Sequence, residues 1–143
     1  MGARRKGRIL AFQSLYSYEL CRAGGQSQAN EILEFPWLES RGSGESNQES
    51  IDFGRFIARG TIENLSEVDR YITAQLEHWD FSRLNKVDQA ILRISVYSLL
   101  FQKDIPASVT IDEAVDISKD FGTDDSYRFI NGVLDGVRKN LEH

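Results

Sequence analysis

A chain of 143 residues with 41% hydrophobic and 27% charged side chains has the size and balance of one soluble globular domain, and no run of about 18 apolar residues exists to cross a membrane. A lone cysteine, Cys21, excludes an internal disulfide and fits a cytoplasmic setting, while two histidines, His78 and the terminal His143, are too few for a His-based triad or a His/Cys metal cluster. Net charge is −5, yet the first eight residues carry Arg4, Arg5, Lys6 and Arg8 and no acid, leaving 13 Lys+Arg against 22 Asp+Glu elsewhere, so any polyanion must be met locally at that end.

Spacing of i, i+3 and i+4 recurs along almost the whole chain, only Pro36 and Pro106 interrupt it, and β-branched alternation is scarce; the fold class is therefore all-α, a compact bundle of about six or seven helices. The first helix is expected from about Ala3 to Arg22, stopped by Gly24-Gly25, with Ile9, Phe12, Tyr16 and Leu20 facing inward. Gln13, Ser14 and Ser17 break the apolar run that a secretory signal would need. Arg5, Arg8, Phe12 and Tyr16, spaced three, four and four, share one face, so cations lead into rings. Guanidinium forks suit phosphate oxygens and rings suit unstacked bases, which points to single-stranded nucleic acid; a basic tip that only aids solubility fits the same charges. Cys21, near the helix end, reads as a small packed thiol.

A short amphipathic piece, residues 29–38, is broken by Pro36 and passes into a polar Gly/Ser-rich stretch, residues 39–50, read as a mobile loop within one domain spanning 1–143. From Ile51 the stripe Phe53, Ile57, Leu65, Val68, Ile72, Leu76 and Trp79 predicts one long helix, in which Gly54 and Gly60 imply close helix packing. Asn85 to Lys103 is apolar on most sides and belongs at the centre, with Arg93 its lone internal cation. Pro106 separates it from a helix starting near Ser108 or Thr110 and ending at Gly122, with Asp112 and Glu113 in its first turn. The last helix is expected to start at the capping cluster Thr123-Asp124-Asp125 and to turn Tyr127, Ile130, Leu134, Val137 and Leu141 inward.

Asp112, Glu113, Asp116 and Asp120 include i, i+4 neighbours that could hold a hard cation or an acid/base pair, but nothing apolar or electrophilic is gathered with them, and a solvated helix face fits better. Gly42-Ser43-Gly44 lacks the Gly-Lys-Ser/Thr of a phosphate loop. No catalytic residue, metal or cofactor is expected.

Four blocks carry a resemblance. Arg4-Arg5-Lys6-Gly7-Arg8 with Gln13 to Leu20, Asn85 to Ser95 with Tyr97, Ile105-Pro106 leading into Val109 to Val115, and Ser118 to Gly122 leading into Ser126 to Asp135 together resemble the NusB family of transcription antitermination proteins. The match runs through the chain in order, with only the Gln26 to Ser50 region unmatched. The resemblance implies an all-helical, non-catalytic RNA-binding protein that pairs with ribosomal protein NusE on the boxA element of ribosomal RNA transcripts and acts on the RNA polymerase antitermination complex. By position it implies RNA contacts at Arg4, Arg5, Lys6, Arg8, Tyr16, Asp125, Arg128 and Phe129, and a protein-partner surface on the central helix from Asp88. Monomer and homodimer stay open.

Two positions depart from the family pattern: Ser98 stands where a glutamate is frequent, and Asp112 where an asparagine is. Tyr16 and Phe129 also fit core positions, and Arg128 also fits a rim ion pair with Asp124 or Asp125. Two other classes compete: a protein-protein scaffold with an incidental basic tip, and the helical module that precedes the catalytic domain of some RNA cytosine methyltransferases. The second lacks a cofactor domain within this chain, which ends at His143.

Overall fold

A computed structural model describes residues 2–22, 30–36, 48–77 and 79–141. The longer helices are α1 (Ala3–Leu20), α2 (Gln48–Glu63), α3 (Leu65–Thr73), α4 (Lys86–Phe101), α5 (Ala107–Phe121) and α6 (Ser126–Leu141), with a 3-10 turn at Phe81–Arg83 and no strand among the described residues. The Gly24-Gly25 stop and residues 39–47 of the expected loop lie outside them. The last three residues assigned to that loop are helical, since α2 already begins at Gln48.

α4 is the central element and packs against every other one of these helices. Its start is fixed locally: the Asn85 side-chain oxygen accepts from the Asp88 backbone N–H at 2.7 Å, a cap at the third helical position. From there Ile91, Leu92 and Val96 are wholly buried. Each such side chain contributes about 1.5–3 kcal/mol when removed from water, so the apolar character of all sides of α4 demands a central place.

The helix expected to run unbroken from Ile51 to Trp79 is instead two. Thr61 Oγ1 donates to the Ile57 carbonyl at 2.7 Å and Asn64 Nδ2 donates to the Gly60 carbonyl at 2.8 Å, so side chains intrude on consecutive turns and the axis breaks at Asn64. α3 ends at Thr73, and Trp79, expected inward, is 61% exposed beyond it. The stripe of α1 is also rotated from expectation. Leu10, Ala11, Phe12, Ser14 and Leu15 are buried, whereas Ile9 and Tyr16 are half-buried and Leu20 is 59% exposed. Cys21, just after Leu20, is exposed rather than packed.

The two glycines of α2 do mark close packing. A Cβ on Gly54 would come within 2.7 Å of the Gly7 carbonyl oxygen of α1, and one on Gly60 within 2.3 Å of the Tyr97 ring of α4. Residues 32–35 are held to α2 by Arg55, whose Nε donates to the Leu33 carbonyl at 2.9 Å and whose guanidinium lies 5.3 Å from the Phe35 ring centre.

Arg93 is fully buried, and its partners come from two other helices. Nε and Nη2 donate to the two carboxylate oxygens of Asp69 on α3, both at 2.9 Å, and Nη1 donates to Glu19 of α1 at 2.7 Å. The Phe81 ring lies 4.7 Å from the guanidinium. Burial alone would lower the Arg93 pKa, but the hydrogen bonds and charges of Asp69 and Glu19 outweigh it and hold the pKa above its ordinary value.

Candidate nucleic-acid interface

The cationic strip occupies the first two turns of α1, and the fold gives its members different surroundings. Arg4 is exposed, with its guanidinium 5.4 Å from the Phe53 ring centre of α2. Lys6 is half-buried. Arg5 points to α5: Nε donates to Glu113, and Nη2 donates to Asp116 at 2.9 Å. Burial alone would lower the pKa of Arg5, but the two carboxylates outweigh it and raise it.

Arg8 is only 5% exposed, lies 5.4 Å from the Phe53 ring centre and stands 3.7 Å from Glu113. Its Nε and Nη2 make no hydrogen bond, and its side chain lines a cavity of about 10 Å³ together with Ser95, Ser98 and Thr110. Burial lowers its pKa, assisted by Arg4 and Arg5 and opposed by Glu113. The acidic face of α5, read in the sequence as solvated, is thus partly the counter-charge of α1. Among the described residues no cluster of carboxylates, histidines or cysteines is arranged to hold a metal ion.

Of the row Arg5, Arg8, Phe12 and Tyr16, Phe12 is buried, its ring tilted against Phe121 at 5.1 Å. Tyr16 is half-buried and packs on the core, as does Phe129, so both rings combine a buried edge with solvent access. Tyr16 lines a groove of about 120 Å³ with Phe12, Gln13, Val87 and Phe121, and Phe121 is 42% exposed. The groove therefore joins α1 to the start of α4 and the end of α5.

Asp88 follows Val87 and is 6% exposed. It accepts from Asn85 Nδ2 at 3.1 Å, and burial raises its pKa, offset in part by hydrogen bonds from Ser126 and Asn85. Ser126 opens α6, and its neighbour Asp125 stands at the N-cap position. Of the expected capping cluster Thr123-Asp124-Asp125, Thr123 takes part and the two acids do not: the Thr123 N–H donates to Ser126 Oγ at 3.0 Å, and the Ser126 N–H to the Thr123 carbonyl at 3.1 Å. Gly122 permits this turn, since a Cβ there would lie 2.6 Å from Ser126 Oγ. Asp124 and Asp125 are left exposed.

Arg128 is exposed and pairs with Tyr127, not with an acid: Nε donates to the phenol oxygen at 3.0 Å, and the guanidinium lies 5.4 Å from the ring centre. Phe129 is three residues beyond Ser126 and shares its side of α6. The start of α6 thus lies close enough to the start of α4 for the Ser126 hydroxyl to bear on the Asp88 carboxyl, whose Oδ1 is buried without a hydrogen-bond partner. Sequence spacing did not disclose Phe53, Glu113 and Asp116 as partners of the strip; their acidic and aromatic character was visible, but only the fold brings them within reach.

A family model described as "NusB family" matches residues 5–139. The transcription antitermination protein NusB of Treponema pallidum is 52% identical over 137 residues, covering 96% of this chain and 93% of the relative. A solved structure of T. maritima NusB superposes with a TM-score of 0.79 at 40% identity, covering 95% of this chain and 90% of that one. A structure of antitermination factors NusB and NusE in complex with dsRNA shares the fold, with a TM-score of 0.79 at 23% identity over 98% of both chains.

Proposed function

The chain belongs to the NusB family, and from that membership we propose that it is a transcription antitermination factor without catalytic activity, which binds boxA RNA of ribosomal RNA transcripts together with ribosomal protein NusE. It works in the cytoplasm, where RNA polymerase and nascent RNA are found. The cations Arg4, Arg5 and Lys6 meet phosphates, Tyr16 and Phe129 offer faces to splayed bases, and Asp125 and Arg128 flank the strand at the start of α6. Arg8 acts from behind, holding Phe53 and Glu113 beside the strip. NusE docks at the accessible start of α4, Asn85 to Val87, since Asp88 and the residues that follow it are buried.

The observation that carries this reading is the adjacency of three elements. The Tyr16 groove reaches Val87 in the first turn of α4, the next residue, Asp88, lies close enough to Ser126 of α6 for that hydroxyl to bear on its pKa, and the cations of α1 lie farther along the same helix as Tyr16. A composite surface of cations and half-exposed rings suits an extended single strand. Filter binding of a uridine/adenine-rich single-stranded RNA across a salt series tests it. Affinity that falls as salt rises is expected; a protein-protein scaffold would show no RNA affinity at any salt.

A further inference from the structure

The Arg5 guanidinium pairs with two carboxylates, and both belong to a helix more than a hundred residues away. Glu113 is shared: one oxygen accepts from Arg5 and the other stands 3.7 Å from Arg8. Two cations of α1 therefore face two anions of α5, and the four charges cancel. A guanidinium fork accepts a carboxylate or a phosphate with the same geometry, so a strand and α5 would compete for one donor set.

We propose that Glu113 and Asp116 are affinity-setting residues of the RNA site, standing at Arg5 in the place of backbone phosphate, so that a strand gains Arg5 only by displacing them. This rests on the RNA-binding reading above. The pairs are placed for displacement, Asp116 more than Glu113: the side chains of Arg5, Asp116 and Glu113 are 26%, 49% and 21% exposed, whereas Arg93 in its carboxylate clamp is 2% exposed. An ion pair this open to water is favoured over its separated partners by no more than about fivefold. Because Arg5 is already neutralised, its contact with phosphate releases little net counterion, and the sequence-independent part of binding is damped. Damping that part matters for a factor surrounded by competing RNA, because non-specific sites outnumber the specific one.

The test compares the full chain with Glu113→Gln, Asp116→Asn and Asp112→Asn, the last removing the same charge from an exposed residue of α5 that is not one of the two carboxylates paired with Arg5. Each is titrated with a uridine/adenine-rich single-stranded RNA and with an unrelated strand of equal length, across salt, with melting temperature recorded. Glu113→Gln and Asp116→Asn should tighten binding to both strands at low salt, by up to about fivefold. The log-log salt slope should steepen by about 0.7, one regained phosphate contact. Asp112→Asn should leave the slope unchanged. Should Glu113→Gln fail to fold, the more exposed Asp116→Asn decides alone. A parent that binds RNA, with variants of unchanged slope, would overturn the proposal and leave the RNA reading intact. An equal gain from Asp112→Asn would reduce the effect to overall charge and overturn it too, and a parent with no RNA affinity removes both readings together.

Discussion

Arg5, Arg8 and Arg93 are chemically identical, and their environments separate their roles. The Arg93 guanidinium, 2% exposed, holds a bidentate carboxylate and a second acid, whereas Arg5, 26% exposed, holds its acids at the rim. Breaking a buried pair strands uncompensated charge, and Arg93→Met should therefore cost about 3–5 kcal/mol in denaturant unfolding. Arg5→Met, by contrast, should cost no more than about 1 kcal/mol. Equal losses would mean that the Arg93 clamp is open to water. Asp88 illustrates the opposite sign. Burial raises its pKa more than Ser126 and Asn85 lower it, and a carboxyl group whose folded pKa is raised contributes stability below its unfolded pKa and loses it as pH rises through the folded one. Asp88→Asn should accordingly be more stable than the parent near neutral pH, and the gap should close as pH falls below the raised pKa. Urea midpoints at neutral and acid pH read this directly; a gap that widens on acidification would mean that the ionised carboxylate is stabilising.

At the scale of the helix, what was legible in the sequence was what is decided locally. Asn85 caps α4 through its own side chain, Pro106 precedes α5, and Gly122 ends it, each within a few residues. The break at Asn64 was hidden because the apolar spacing of Leu65, Val68 and Ile72 continues past it, and only two side-chain bonds to the helix backbone mark the interruption. Of the capping cluster Thr123-Asp124-Asp125, only Thr123 takes part in closing the turn, through Ser126, and Asp125 is left exposed. As a charge beside the proposed strand, Asp125 repels phosphate and cancels part of the favourable helix terminus. Asp125→Asn should keep stability within about 0.5 kcal/mol and tighten RNA binding modestly, most at low salt where screening is weakest. A weaker complex from a folded variant would mean that the carboxylate accepts a hydrogen bond from the RNA. The α1–α2 crossing gives a harder constraint, since a Cβ on Gly54 would meet backbone, not a movable side-chain tip. Gly54→Ala should lower stability by about 1–3 kcal/mol in thermal unfolding, and an unchanged melting temperature would show that the two helices can separate without cost.

For the molecule as a whole, the all-α class, the central place of α4 and the cationic first turns of α1 were readable from spacing and charge. The pairing of that strip with α5 and the clamp on Arg93 were not, because Glu113, Glu19 and Asp69 reach their partners only through tertiary packing, across 108, 74 and 24 residues of chain. The same packing sets the helix whose start is proposed to face NusE, α4, against the helix whose start is proposed to face RNA, α6, and Ser126 of α6 is close enough to Asp88 of α4 to bear on its pKa. A partner seated on α4 that adds its own cations would extend one continuous surface for the strand. Coupling between two equilibria must be mutual: if NusE raises the affinity for boxA-like RNA by some factor, RNA must raise the affinity for NusE by the same factor. Calorimetric titrations in both orders should return equal factors greater than one. Factors of one in both directions would mean that the two ligands occupy energetically separate surfaces, and the packing of α6 on α4 would then be a matter of folding alone.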